Sequence, residues 1–295
     1  MTLAELLVAL AVGLGVLLAG AVLMSGANRT YVAHEDASAL DDGGRYALAL
    51  VGRAVRQGAF LDWEQLGAAG LDKNAPAPLA GLDSRSLVKT SFGIDDPVTS
   101  AINGSDVLAV RYPGAGAAPD GDGSVVDCAG FAVHGAEEGW SIFYVARNGD
   151  GLAELRCKYK GAANWSADAV VAGVDGFQVL YGLDSDSPPD GVPNRYLNAS
   201  ALAALDAGLL PAERNEKTAW KRVASVQVAL LLHGEQASRA PVQPAAYALF
   251  GEAYGAAHGS ADAGVQLAQA ELNGSGPAPA RRLFTAVFAV GAAQP

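Results

Sequence analysis

From Leu6 to Met24 every position of the chain is aliphatic, Ala, Gly or Met. At about 1.5 Å per residue such a run is just long enough to cross the hydrocarbon core of a bilayer as a helix. After Met24 the composition turns mixed, but a helical period continues. Leu40, Gly44, Ala47, Leu48, Val51 and Val55 recur at three- and four-residue steps and line up one face. Arg53 and Arg56 suit a helix C-terminus, and Gly58 is a stop signal. The pattern predicts a helix of roughly 55 residues, ~80 Å long. It divides into an apolar half, residues 1–24, and an amphipathic half, residues 25–57. Gly43-Gly44 is its weak point, a bend or a break.

The period then changes. Residues 58–295 read as a β-rich head. Gly58 to Pro97 is irregular and punctuated by proline. Asp106–Tyr112 reads as a strand, and Pro113–Asp127 as a Gly/Asp/Pro loop. Ser141–Arg147 and Leu152–Tyr159 flank Asn148-Gly149-Asp150-Gly151, the clearest hairpin signal in the chain. Ala169–Val174 and Phe177–Leu183 are further strands, and Ala199–Leu209 is a short helix. Val223–Leu232 is a strongly apolar strand with Arg282–Val290 as its partner. Between those two, residues 234–280 form a Gly/Ala/Pro-rich excursion. Helix first and antiparallel strands afterwards make an α+β order, a rod carrying an antiparallel head.

Glu5 is the only charge in the apolar half. A carboxylate at the edge of a membrane helix is costly and implies a partner. No basic residue precedes Arg29, so neither a secretory signal nor an ordinary positively flanked anchor fits. The expectation is a short basic leader, removed so that numbering begins at the mature end.

Thr2-Leu3-x-Glu5-Leu6-Leu7-Val8-Ala9-Leu10 resembles the start of type IV pilins and pseudopilins, the class III signal family. Met1 stands where that family usually has Phe. Gly44-Arg45-Tyr46-Ala47-Leu48 with Arg53 and Arg56-Gln57, Asp106–Tyr112, Gly176–Gly182 and Arg281–Phe288 are similar to blocks of the PilW minor pilins, in order along nearly the whole chain. The resemblance implies a pilin-like fold, with the long helix packed on an antiparallel sheet. It implies cleavage by a prepilin peptidase and methylation at Met1. It also implies that Glu5 neutralises the N-terminal amine of an adjacent subunit. An ion pair is worth far more in low dielectric than in water, and a lone buried charge is penalised.

The net charge of −11 argues against nucleic acid as a partner and against adhesion to anionic lipid heads. The two cysteines, Cys128 and Cys157, fall in an oxidising compartment if the head lies outside the cytoplasm. A Cys128–Cys157 disulfide is expected.

Little in the chain points to catalysis. His34, His134, His233 and His258 are not at metal-ligand spacing, and no nucleophile elbow, P-loop or dinucleotide fingerprint occurs. No cofactor is expected, with calcium the one candidate. Asp184, Asp186 and Asp190 lie in an acidic loop whose oxygens suit that ion, while the blander reading is a solvated turn. The sequons at Asn28, Asn103, Asn164, Asn198 and Asn273 read as chance. Trp63, Trp140, Trp165 and Trp220 read as core or interface residues rather than a sugar platform.

The expected protein is a non-enzymatic minor pilin. It is anchored in the inner membrane with a periplasmic head, then built into a pilus near the tip. Its expected partners are other minor pilins, the major pilin, the inner-membrane assembly platform and the prepilin peptidase. The alternatives are a J-type pseudopilin of type II secretion, or a tip adhesin or DNA-uptake component using the 234–280 excursion.

Overall fold

The computed structural model describes residues 2–58, 72–161, 163–234, 246–273 and 279–290. Trp63 and part of the 234–280 excursion lie outside the described residues. The first element is one unbroken helix, α1 (Leu3–Gln57), which passes straight through Gly43-Gly44 and stops at Gly58.

Among the described residues the head is antiparallel, as expected, but is divided into two main sheets and a small two-stranded one rather than a single sheet. The first contains β1 (Leu79–Leu82), β2 (Val107–Pro113), β3 (Glu138–Arg147), β4 (Ala153–Lys160) and β5 (Trp165–Ala172), side by side in chain order. The second has the order β11 (Arg281–Ala289), β8 (Val223–His233), β6 (Val174–Leu183) and β7 (Arg195–Leu197). The expected pairing of the strongest apolar strand with the C-terminal strand is β8 with β11, running from Arg281 opposite His233 to Ala289 opposite Ser225.

Both sheets and the second half of α1 share one core. Alternation along the strands sends Leu108, Val110, Phe143, Val145 and Leu155 inward from the first sheet. Phe177, Val179, Val226, Val228 and Leu230 come from the second, and Ala47, Val51 and Val55 from α1. The outer face of the first sheet, with Val107, Ala109, Ile142 and Tyr144, is covered by Leu87 and Ile94. There the buried Lys158 donates to Val88 O at 3.0 Å, Ser91 Oγ at 3.0 Å and Gly93 O at 2.7 Å. Burial lowers its pKa to about 8, against the opposing pull of Asp95.

Short elements complete the head. Asn198 caps α2 (Ala199–Ala204), which ends earlier than its alanine run, and α3 (Arg214–Lys217) precedes β8. The described part of the excursion contains β9 (Ala246–Ala248), α4 (Glu252–His258), β10 (Gln266–Ala268) and α5 (Gln269–Asn273). Tyr247, Leu249 and Leu267 from this part cover Ala229 and Leu231 on the outer face of the second sheet. The hairpin between β3 and β4 closes differently from a two-residue Asn-Gly turn. Asn148 N donates to Leu152 O at 2.9 Å, and Asn148 Oδ1 accepts from Asp150 N and Leu152 N, both at 3.0 Å. Of its two glycines only Gly151 takes a positive φ, +83°.

The glycines of α1 explain why the helix does not break. A Cβ on Gly44 would lie 2.4 Å from the ring of Phe284, and one on Gly52 would lie 2.4 Å from the ring of Phe288. Each glycine is a notch that receives an aromatic ring from β11. Eight helical residues rise about 12 Å, and four strand residues span about 13 Å. The two spacings therefore match, and β11 runs beside α1 in the same direction.

Filling a notch should outweigh the usual gain of helix propensity. Gly44→Ala and Gly52→Ala each remove a helix glycine worth about 1 kcal/mol in an open site. Here each should instead lower the urea-unfolding free energy of the head, by about 1–3 kcal/mol through overpacking. Pairing Gly44→Ala with Phe284→Leu should recover part of the loss. Unchanged or higher stability in both single variants would refute the notch.

Candidate functional site

Three places carry the chemistry predicted from sequence: the N-terminal end of α1, the cysteine pair and the acidic loop.

At the N-terminal end Thr2 is the helix cap. Its backbone N donates to Glu5 Oε2 at 2.8 Å, and Glu5 N donates to Thr2 Oγ1 at 3.3 Å. This reciprocal capping box satisfies two helix-end donors. Its signal in the sequence is Thr-x-x-Glu, which the charge of Glu5 overshadows. Met1 lies outside the described residues. From residue 2 to Tyr31 every residue is exposed, and α1 first becomes buried at Leu40. The apolar window of α1 has a mean hydropathy of 2.7 and none of it is buried, so the helix is long and apolar enough to cross a membrane. A Cβ added at Gly13, Gly15, Gly20 or Gly26 would meet nothing within 4 Å among the described residues, unlike one in the filled notches at Gly44 and Gly52.

At the other end of α1 the cysteines brace the fold. Cys128 and Cys157 form a disulfide, with Cα atoms 5.9 Å apart. It fixes the loop before Phe131 onto β4, and that loop grips the last turn of α1. Gln57 Nε2 donates to Val126 O at 2.7 Å, and Arg53 Nη2 donates to Asp127 O at 3.3 Å. The Asp127 carboxylate holds the loop in shape by accepting from Ala129 N at 2.8 Å and Phe131 N at 3.0 Å. Burial pushes its pKa up, against those N–H donors and the nearby Arg53.

The acidic loop brings its three carboxylates together, with one oxygen of each within 4.8 Å of the others. Their lone pairs are also engaged inside the loop. Asp184 accepts from Asp186 N at 3.0 Å and Gly191 N at 2.7 Å, Asp190 from Val192 N at 2.8 Å, and Asp186 from Asn194 Nδ2 at 3.1 Å. Burial works to raise the Asp184 pKa. The N–H groups of Asp186, Gly191 and Asp190 and the Arg222 charge outweigh it and hold the carboxyl below its usual range. The donor set suits calcium, and calorimetric titration of calcium into the protein tests that use. Two of the histidines pair with other carboxylates: His134 lies 3.7 Å from Glu137, and His233 lies 3.0 Å from Asp175.

A long apolar rod seated on an antiparallel head defines a pilin-like protein. The family model for the type IV pilus-assembly protein W matches residues 142–291, just over half of the chain. The chain belongs to this PilW family. The match begins within β3 and runs through β11, while the rod and Glu5 lie outside it. No curated protein and no solved structure matches the chain.

The disulfide should account for much of the stability of the grip on α1. In the Cys128→Ser, Cys157→Ser double variant the head should lose about 3.6 kcal/mol, the chain-entropy value for a loop of this size. Amide exchange should rise in the last two turns of α1, and unchanged exchange there would remove the disulfide from the grip.

Proposed function

We propose that the protein is a minor pilin that enters a type IV pilus through α1 and helps to prime or cap it. The observation that carries this reading is the contrast between the two halves of one unbroken helix. From Leu40 onward α1 is packed into the head, while the apolar half, up to Met24, is exposed along its whole described length. An apolar rod of this kind is stable only in lipid or among other rods. Membership of a pilus-assembly family supplies the second setting.

In this mechanism the chain first sits in the inner membrane with its head in the periplasm, where the disulfide forms. The prepilin peptidase generates a free amine at Met1 and methylates it. The assembly platform then lifts the rod into a bundle with the major pilin and other minor pilins. Glu5 forms an ion pair with the N-terminal amine of the neighbouring subunit, in surroundings where such a pair is strong. The role is one of assembly, not of catalysis. A J-type pseudopilin of type II secretion would use the same rod, and the system encoded beside the chain distinguishes the two. The tip-adhesin and DNA-uptake readings draw little support from a net charge of −11.

The capping box makes a clean test possible. Glutamine at position 5 keeps the box but removes the charge. Glu5→Gln and Glu5→Ala should both leave the head folded, and both should reduce recovery in sheared pili at least tenfold. If Glu5→Gln assembles like the wild type while Glu5→Ala does not, Glu5 acts as a helix cap and the charge-pair mechanism is wrong.

A further inference from the structure

Four strands form the margins of the two main sheets: β1 and β5 in the first, β7 and β11 in the second. A margin presents unpaired backbone groups, which native proteins blunt by shortness, bulges, charge or proline. Three of these margins are blunted. β1 has four residues and β7 has three. The pairing of β5 with β4 shifts register between Leu155 and Arg156, and Arg156 Nη2 donates to Ala167 O at 3.1 Å. β11 has no such device. Its nine residues pair with β8 without a register shift, contain no proline, and carry no charge after Arg282.

The ladder fixes which groups are left over. Gly234 N donates to Ala280 O, and Val290 N donates to Ala224 O, both at 2.9 Å. These contacts continue the β11–β8 register at its two ends. Hydrogen-bonded pairs alternate with non-bonded pairs in an antiparallel ladder. The even-numbered residues from 282 to 288 therefore bond to β8. Leu283, Thr285, Val287 and Ala289 direct N–H and C=O away from it. Among the described residues nothing bonds to these outward groups. Leu283 is half-buried, whereas Thr285, Val287 and Ala289 are exposed, Val287 at 56%.

We propose that β11 is a docking edge that accepts an extended strand from the head of a different pilus subunit, paired through the backbone groups of residues 283–289. Apolar side chains at alternate positions of that strand would lie beside Val287 and Leu283. The partner is argued from the direction of β11, which runs along α1 because Phe284 sits at Gly44 and Phe288 at Gly52. Antiparallel pairing of two copies of β11 would point two rods in opposite directions. Rods that enter one membrane from one side do not do this. The edge also flanks the rod, so bundling of rods brings a neighbouring head to it. This inference rests on the assembly reading above.

The test uses the full-length chain, co-produced with the other pilins of its own pilus system and solubilised in detergent. Val287→Pro removes an outward N–H that the head does not use, and Val287→Lys adds a charge without touching the backbone. Both should cut co-purification of the partner pilin at least tenfold, with the head's melting temperature kept within a few degrees. Amides 283, 285, 287 and 289 of the wild type should exchange at least tenfold more slowly in the complex than alone. Should Val287→Pro unfold the head, Val287→Lys and the exchange data decide. Wild-type capture in both variants, or no slowing of these amides, overturns the docking edge alone. Slowing that appears in the purified chain with rising concentration assigns the edge to a second copy and overturns the proposal. Failure of the wild type to capture any pilin overturns the assembly reading with it.

Discussion

Two phenylalanine rings seated in two helix glycines decide where the head stands on its rod. Phe284 fills the notch at Gly44, and Phe288 fills the one at Gly52. Because the rises of helix and strand match over this interval, both contacts form at once only in a single register. Sliding α1 by one turn would drive a ring against a side chain rather than a glycine. The rest of the core follows from this seating. It places Ala47, Val51 and Val55 between the two sheets and brings Arg53 and Gln57 to the loop held by the disulfide. The two helix glycines are thus retained despite their propensity cost, because the close approach requires them.

Much of this was legible in the sequence. The rod was plain from the unbroken apolar run, since nothing but a membrane or a bundle tolerates such a surface. The partnership of β8 and β11 followed from two long apolar runs near the end of the chain. The cysteine pairing followed from the compartment. What was not legible depended on contacts distant in sequence. Gly43-Gly44 read as weakness because local propensity cannot show a ring arriving from residue 284. The division into two sheets was hidden because both faces of the first are buried, so β3 reads as a continuous run instead of alternating. Lys158 gave no sign of burial, because its carbonyl partners belong to an irregular segment some 70 residues earlier.

The candidate site was legible by residue but not by role. Glu5 stands out in the sequence for its charge, and the folded chain also uses it in a helix cap. Both descriptions hold together, since the cap orients the carboxylate at the tip of the rod. The three carboxylates of the acidic loop converge despite their irregular spacing in the sequence, and their oxygens also serve as turn acceptors. The cysteines were expected to pair, and the pair also steadies the loop that holds the end of the rod.

An unbroken helix transmits angle as well as distance. Successive residues turn by about 100° around the axis and advance about 1.5 Å along it. The number of residues between Glu5 and Gly44 thus sets the compass bearing of the head about the rod, along with its height. A single inserted residue in that interval would swing the head by more than a quarter turn while leaving its own structure intact. The length of α1 is therefore a phase, and neighbouring heads in a fibre can meet on chosen faces only while that count is kept.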